Sequence, residues 1–378
     1  MIIKLKSSNK RVSLYKSKDA LLVYSFISYN LYGFKNLYAA IFLLMEEKNS
    51  IDLVKKELEK LGINSSSYND LLIAIDKILK GKDKSNLDTN STENLIFKED
   101  KTVDINEDIY LFNGWYFTIS DNLGVQKELQ AIAHLKTDSL YWQKVTKVTI
   151  NKDYSIEVNS KYIDKISKKE HLIPYLYGLL RTIYITKIDF LITLHAASLK
   201  YKNRVLIMPA KSGKGKSTLS MFLTNSGFEV FSDELTIIKT NSHIIPIKLG
   251  IGLKESSWNL FDSIKDKLAK SPTHLRYDNQ KVKYILPKFA DSESLAYNAT
   301  FIFPNYQKGA KSDIKEIDIV DALSYIIETQ YYFSDIKDVT KIEQWLDILS
   351  SCSLYTLTYS NLDDAKKIIK KVMKHEKL

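Results

Sequence analysis

The chain of 378 residues carries 55 Lys and Arg against 45 Asp and Glu, a net charge of +10, and is 44% hydrophobic. That length suits about two domains, and that apolar share excludes disorder throughout. The single cysteine, Cys352, and six scattered His exclude a disulfide framework and any clustered zinc site, and suit a reducing compartment.

The first residues alternate like a strand, with no apolar run of signal-peptide type behind them. The longest uncharged run, residues 20–34, is too short and too polar to span a bilayer. The expected location is the cytoplasm, with no membrane partner. Charges of both signs are mixed along the whole length, which reads as solvated surface. No dense basic tract or aromatic nucleic-acid motif is present, so nucleic acid is not an expected partner.

Residues 1–82 read as a small α+β domain. Strand character at 2–5, 11–15 and 20–28 is followed by helical stretches at 36–46, 51–61 and 68–79. Ser50 is placed as the N-cap of the second helix, where Ile51, Val54, Leu58 and Leu61 recur at helical spacing. Strands followed by three helices make a winged-helix-like module. Residues 83–108 are rich in Asp, Asn, Ser and Thr and read as a linker. From 109 to 378 the texture is mixed α/β. Strands are expected at 109–119 and 145–158, and a largely apolar helix at 171–188. Alternating strands, a glycine turn and a helix fill 192–249, with a strand at 353–359 and a basic-faced helix at 362–374.

The chemistry concentrates in residues 204–220, RVLIMPAKSGKGKSTLS. An apolar strand enters a Gly/Ser/Lys loop that closes where an apolar helix begins, the setting of a phosphate-binding P-loop. Ser212, Gly213, Lys214, Gly215, Lys216, Ser217 and Thr218 are the expected cradle. Loop amides and the helix N-terminus would face the phosphates, Lys216 would reach the β- and γ-phosphates, and Ser217 would ligate Mg²⁺. ATP and Mg²⁺ are therefore the expected ligands. The loop opens with Ala210 where the motif has glycine, which fits unless φ is positive there. A second strand ends in Asp233 and Glu234, adjacent carboxylates able to hold Mg²⁺ and to accept a hydroxyl proton. His195 lies in Leu194-His195-Ala196-Ala197, some fifteen residues before the loop. Alone it reads more readily as a hydrogen-bonded core histidine than as a functional one.

Residues 194–234 resemble HPr kinase and, more closely, the HPr-kinase-related proteins of ribosomal-peptide biosynthesis clusters. Further matches run through LKESSW at 253–258, VKYILP at 282–287 and FIFPNY at 301–306. The resemblance spans about 109–378 and implies a PEP carboxykinase-like fold, an α/β kinase domain with mixed sheets. It implies Asp233 as the catalytic aspartate, Glu234 with Ser217 at the metal, and His195 near the reacting groups. It also implies that Lys254 and Lys283 steady phosphates or substrate. The stretch at 247–251, IKLGI, lacks the glutamate of true HPr kinases, which argues against phosphorylase activity and against HPr as substrate. Residues 1–82 resemble PqqD-type leader-peptide recognition domains. Together these imply an ATP/Mg-dependent kinase that phosphorylates a Ser or Thr hydroxyl of a precursor peptide held by its leader. The alternatives are a kinase of a small molecule or carrier protein, and a nucleotide-gated peptide-binding module without transfer. Oligomeric state stays open.

Overall fold

A computed structural model describes residues 3–5, 7, 9–17, 20–28, 30–83, 108–137 and 145–374. The expected linker lies outside the described residues except at its ends, Asp83 and Asp108. Among the described residues the architecture is mixed α/β, built on five sheets. Among the described residues no helix is long and apolar enough to cross a membrane.

The N-terminal unit is an antiparallel meander of Ile3–Leu5, Val12–Ser17, Ala20–Ser25 and Leu31–Lys35, followed by three helices, Asn36–Lys48, Ile51–Lys60 and Asn69–Leu79. Ser50 caps the second helix, its hydroxyl accepting from the Leu53 amide. The strand Leu31–Lys35 has no counterpart in the sequence reading. The strand Ala20–Ser25 is buried at every position. Leu21 and Val23 face the three helices. Ala20, Leu22 and Tyr24 lie in one core with Leu194, Phe301, Ile326 and Trp345 of the larger unit. The two units therefore share a hydrophobic core, and Lys35 bridges Asp318 and Asp321, each at 2.6 Å.

A second sheet carries Ile109–Phe112, Trp115–Asp121, Val145–Ile150, Ser155–Val158 and Lys161–Lys165 in that order. The stretches 109–119 and 145–158, expected as single strands, each fold into a hairpin. In the first, Asn113 and Gly114 take φ of +49° and +84°, the left-handed turn that an Asn-Gly pair favours. The helix Leu172–Ile185 buries eight side chains in the core of this sheet.

The central six-stranded sheet is ordered Glu229–Ser232, Ala196–Tyr201, Arg204–Pro209, Thr300–Tyr306, Ser353–Tyr359 and Asp313–Glu316. Arg204–Pro209 is parallel to Thr300–Tyr306, and that strand is parallel to Ser353–Tyr359.

Candidate active site

Strand Ala196–Tyr201 runs antiparallel to both of its neighbours, so its first residues lie beside their last ones. Ala196 faces Pro209, and Ser198 faces Ser232. His195, the loop after Pro209, and Asp233 with Glu234 are thereby delivered to one end of the sheet. The parallel strands bring Tyr306 and Tyr359 to the same end, where ligands of α/β sheets gather. A cleft of about 600 Å³ opens there, lined by Ser212, Gly213, Gly215, Lys216, Ser217 and Thr218 on one wall. Phe222, Tyr306 and Tyr359 line it elsewhere, beside the start of the helix Leu362–Lys374.

The loop geometry follows from its glycines. Gly213 and Gly215 sit at φ of +89° and +85°, a region that side chains other than glycine rarely adopt. A Cβ on Gly215 would also collide with the Tyr359 hydroxyl, which donates to the Gly215 carbonyl at 3.3 Å. Ala210, by contrast, is buried and has no positive φ. The motif's first glycine is not needed for its backbone freedom here. The helix Lys216–Thr224 starts directly after Gly215, so its free amides face the cleft end of the loop.

Lys216 is buried, and its Nζ lies 3.3 Å from His195 Nε2. Burial lowers the affinity of the Lys216 amine for its proton, while the Asp233 and Glu234 carboxylates oppose that effect. Burial, then the Lys216 charge, push His195 down to about 4. At neutral pH the imidazole is uncharged and can accept a hydrogen bond from the ammonium.

The two carboxylates differ sharply. Asp233 is 6% exposed, and neither of its oxygens has a hydrogen-bond partner among the described residues. Burial raises its carboxyl to about 6 against the opposing pull of Lys216. Glu234 is paired with Arg181 at 2.7 Å, and that guanidinium holds it down to about 2. One carboxylate is poised near neutrality and the other is fixed as an anion, a separation typical of acid/base sites.

Lys254 reaches the loop, its Nζ 3.3 Å from Ser212 Oγ, and it lines the cleft. Three expected side chains do not line the cleft, and the first is Asp233, which lies behind Glu234 at a small enclosed space beside Tyr177, Arg181 and Tyr284. Lys283 donates to the Leu268 carbonyl at 2.5 Å and stands over the Trp258 ring, because its strand Lys281–Ile285 turns it toward the helix Lys265–Lys270. The Lys214 side chain turns to Asn305 Oδ1 at 2.9 Å, leaving only its backbone in the loop. Two residues escaped the sequence reading. Arg181 comes from the helix Leu172–Ile185 and Arg276 from the turn after His274–Leu275. Both are single arginines in ordinary surroundings, and only tertiary packing sets them beside Glu234.

Among the described residues no three His, Cys, Asp or Glu side chains cluster closely enough to hold a metal by themselves. A Mg²⁺ ion needs only one or two carboxylates when phosphate oxygens complete its shell. The ionised Glu234 and the Ser217 hydroxyl, both in the cleft lining, fit that requirement.

No protein-family model matches the sequence, and no curated protein matches it. Among solved structures 28 chains match. One is the HPr(Ser) kinase/phosphatase of Coxiella burnetii, 10% identical, covering 48% of this chain and 95% of that one with a TM-score of 0.22. A likeness of that size is silent on chemistry.

Proposed function

We propose that this protein is a phosphotransferase that moves the γ-phosphoryl group of ATP to a Ser or Thr hydroxyl of a ribosomally made precursor peptide. The observation that carries the reading is Asp233, a carboxylate buried just behind the cleft wall at Glu234, within the field of the loop residue Lys216. Nucleotide binding alone needs no such group, which disfavours a gated binding module. A buried, unsatisfied carboxylate is costly, and its retention here points to a reaction partner.

The chain's own groups divide the work. The amides of the loop and of the first helical turn bind the phosphates, and Lys216 offsets charge on the γ-phosphoryl group as it transfers. Asp233 takes the proton from the acceptor hydroxyl as the new O–P bond forms. The bond from the γ-phosphorus to its bridging oxygen breaks, and that electron pair leaves on ADP. His195, neutral, accepts from Lys216 and holds the ammonium at the loop. Arg181 keeps Glu234 ionised, and Ser217 with Glu234 would hold Mg²⁺. That ion would supply positive charge to the phosphates.

In this reading the catalytic unit, residues 109–378, has the PEP carboxykinase-like fold, and residues 1–82 hold the leader peptide. Among the described residues the strand Ile3–Leu5 pairs with Val12–Ser17 alone. Its outer edge is suited to an added peptide strand. Calorimetry with Mg-ATP tests the nucleotide half of the reading. Wild type should bind, and Lys216→Ala should bind more weakly and transfer nothing; equal affinity and turnover in the two would reject it.

A further inference from the structure

A second cleft of about 430 Å³ lies against the first. Glu234 and Arg276 line both, so the pair forms the wall between them. The second cleft is otherwise built from the end of the edge strand Lys161–Lys165, the start of the helix Leu172–Ile185, and the turn carrying Arg276 and Tyr277. Its lining is cationic: Lys165, Arg181 and Arg276 face it, against the single carboxylate of Glu234, already paired with Arg181.

Two polar atoms of this lining are buried without a hydrogen-bond partner among the described residues, Arg276 Nε and His171 Nε2. The nearest acid to Arg276 Nε is Asp278, at 3.8 Å and beyond hydrogen-bond range, and Lys165 reaches Asp153 at 3.2 Å. Arg276 is braced by the ring of Tyr277, 5.7 Å away. Arg276 Nε can only donate, and His171 Nε2 donates in its protonated or Nε2–H form. Buried donors that the protein leaves unused are matched by an acceptor-rich ligand.

We propose that this second cleft seats the acceptor and selects a hydroxyl with a carboxylate within a few bonds of it. The inference rests on the phosphotransfer reading. The carboxylate docks on Arg276, His171 and Lys165, and the hydroxyl lies at the Glu234–Arg276 wall, facing the nucleotide cleft. A peptide offers that chemistry from an acidic neighbour of the acceptor Ser or Thr, or from its own chain end.

The test uses the full-length protein, labelled Mg-ATP and three degenerate peptide sets with one Ser. Two sets have amidated ends and carry Glu or Gln after the Ser; the third ends at the Ser with a free carboxylate. Charge-assisted hydrogen bonds predict a kcat/KM at least about tenfold higher with a carboxylate than without one. Preference for the Glu set assigns it to a side chain, and preference for the free end alone assigns it to the terminus. Lys165→Gln with His171→Asn should erase the preference through KM. Should that variant fail to fold, Ala-for-Ser peptides serve as inhibitors of wild type, and the acidic one should inhibit more strongly. Equal kcat/KM for all three sets overturns the proposal and leaves the kinase standing. Transfer to no peptide, with Mg-ATP bound, overturns the kinase reading. The binding of the acidic against the amide Ala peptide then decides the preference of the cleft by itself.

Discussion

Asp233→Asn should make the ligand-free protein more stable while removing its chemistry. The carboxyl is 6% exposed and its oxygens have no hydrogen-bond partners among the described residues. Burial raises it from an ordinary 3.8 to about 6. The folded state therefore holds this proton more tightly than the unfolded chain does. The stability it lends is present below about pH 4 and is lost as pH rises through about 6. At about 1.36 kcal/mol for each pH unit between the two values, the charge costs on the order of 3 kcal/mol at neutral pH. Asn carries no charge and keeps the shape, so Tm should rise by roughly 5 °C at neutral pH. That gain should shrink as the pH is lowered toward about 4. The same variant should lose about 10²–10⁴-fold in turnover with a much smaller change in nucleotide affinity. Wild-type turnover should itself fall as pH drops through about 6, since the base must be ionised to take a proton. Differential scanning calorimetry over a pH series, beside a transfer assay, reads both effects. A Tm that is unchanged or lowered at neutral pH would refute the burial argument, and full turnover would refute the role.

Gly215→Ala places a side chain in the left-handed region, at about 1–2 kcal/mol, and against the Tyr359 hydroxyl. Nucleotide affinity should fall about tenfold or more, and adding Tyr359→Phe should restore part of it in a binding titration. Arg181→Met removes the cation that holds Glu234 down to about 2. The Glu234 carboxyl should then titrate at higher pH, adding a new acid limb to the pH dependence of kcat/KM. Leu22→Ala, at a fully buried position of the shared core, should cost about 2–5 kcal/mol and lower Tm, with KM for ATP unchanged.

The loop was legible because its signal is local. Glycines between an apolar strand and an apolar helix suffice, and Gly213 and Gly215 take the positive φ that explains them. The adjacency of Asp233 and Glu234 was also legible, but their division of labour was not. It depends on Arg181, which lies more than fifty residues away in the chain and arrives through helix packing. Arg276 and the second cleft were hidden for the same reason. The hairpin at Asn113-Gly114 had a readable turn signal, obscured by the apolar residues on both sides. The run ALLVYS at 20–25 also held information. A strand apolar at consecutive positions is buried on both faces, and here the second face is the core around Trp345. Lys283 failed as a site residue because a motif position does not reveal the direction of a side chain, which its strand sets toward Leu268.

The central claim is transfer of a phosphoryl group from ATP to a hydroxyl, driven by the loop lysine and the buried aspartate. The direct measurement is label from γ-labelled ATP recovered in phosphoserine or phosphothreonine, with wild type, Lys216→Ala and Asp233→Asn run in parallel on one peptide library. The account predicts label on hydroxyl side chains with wild type and almost none with either variant. Label that appears equally with all three proteins, or that never leaves ATP while wild type binds it, would contradict the account.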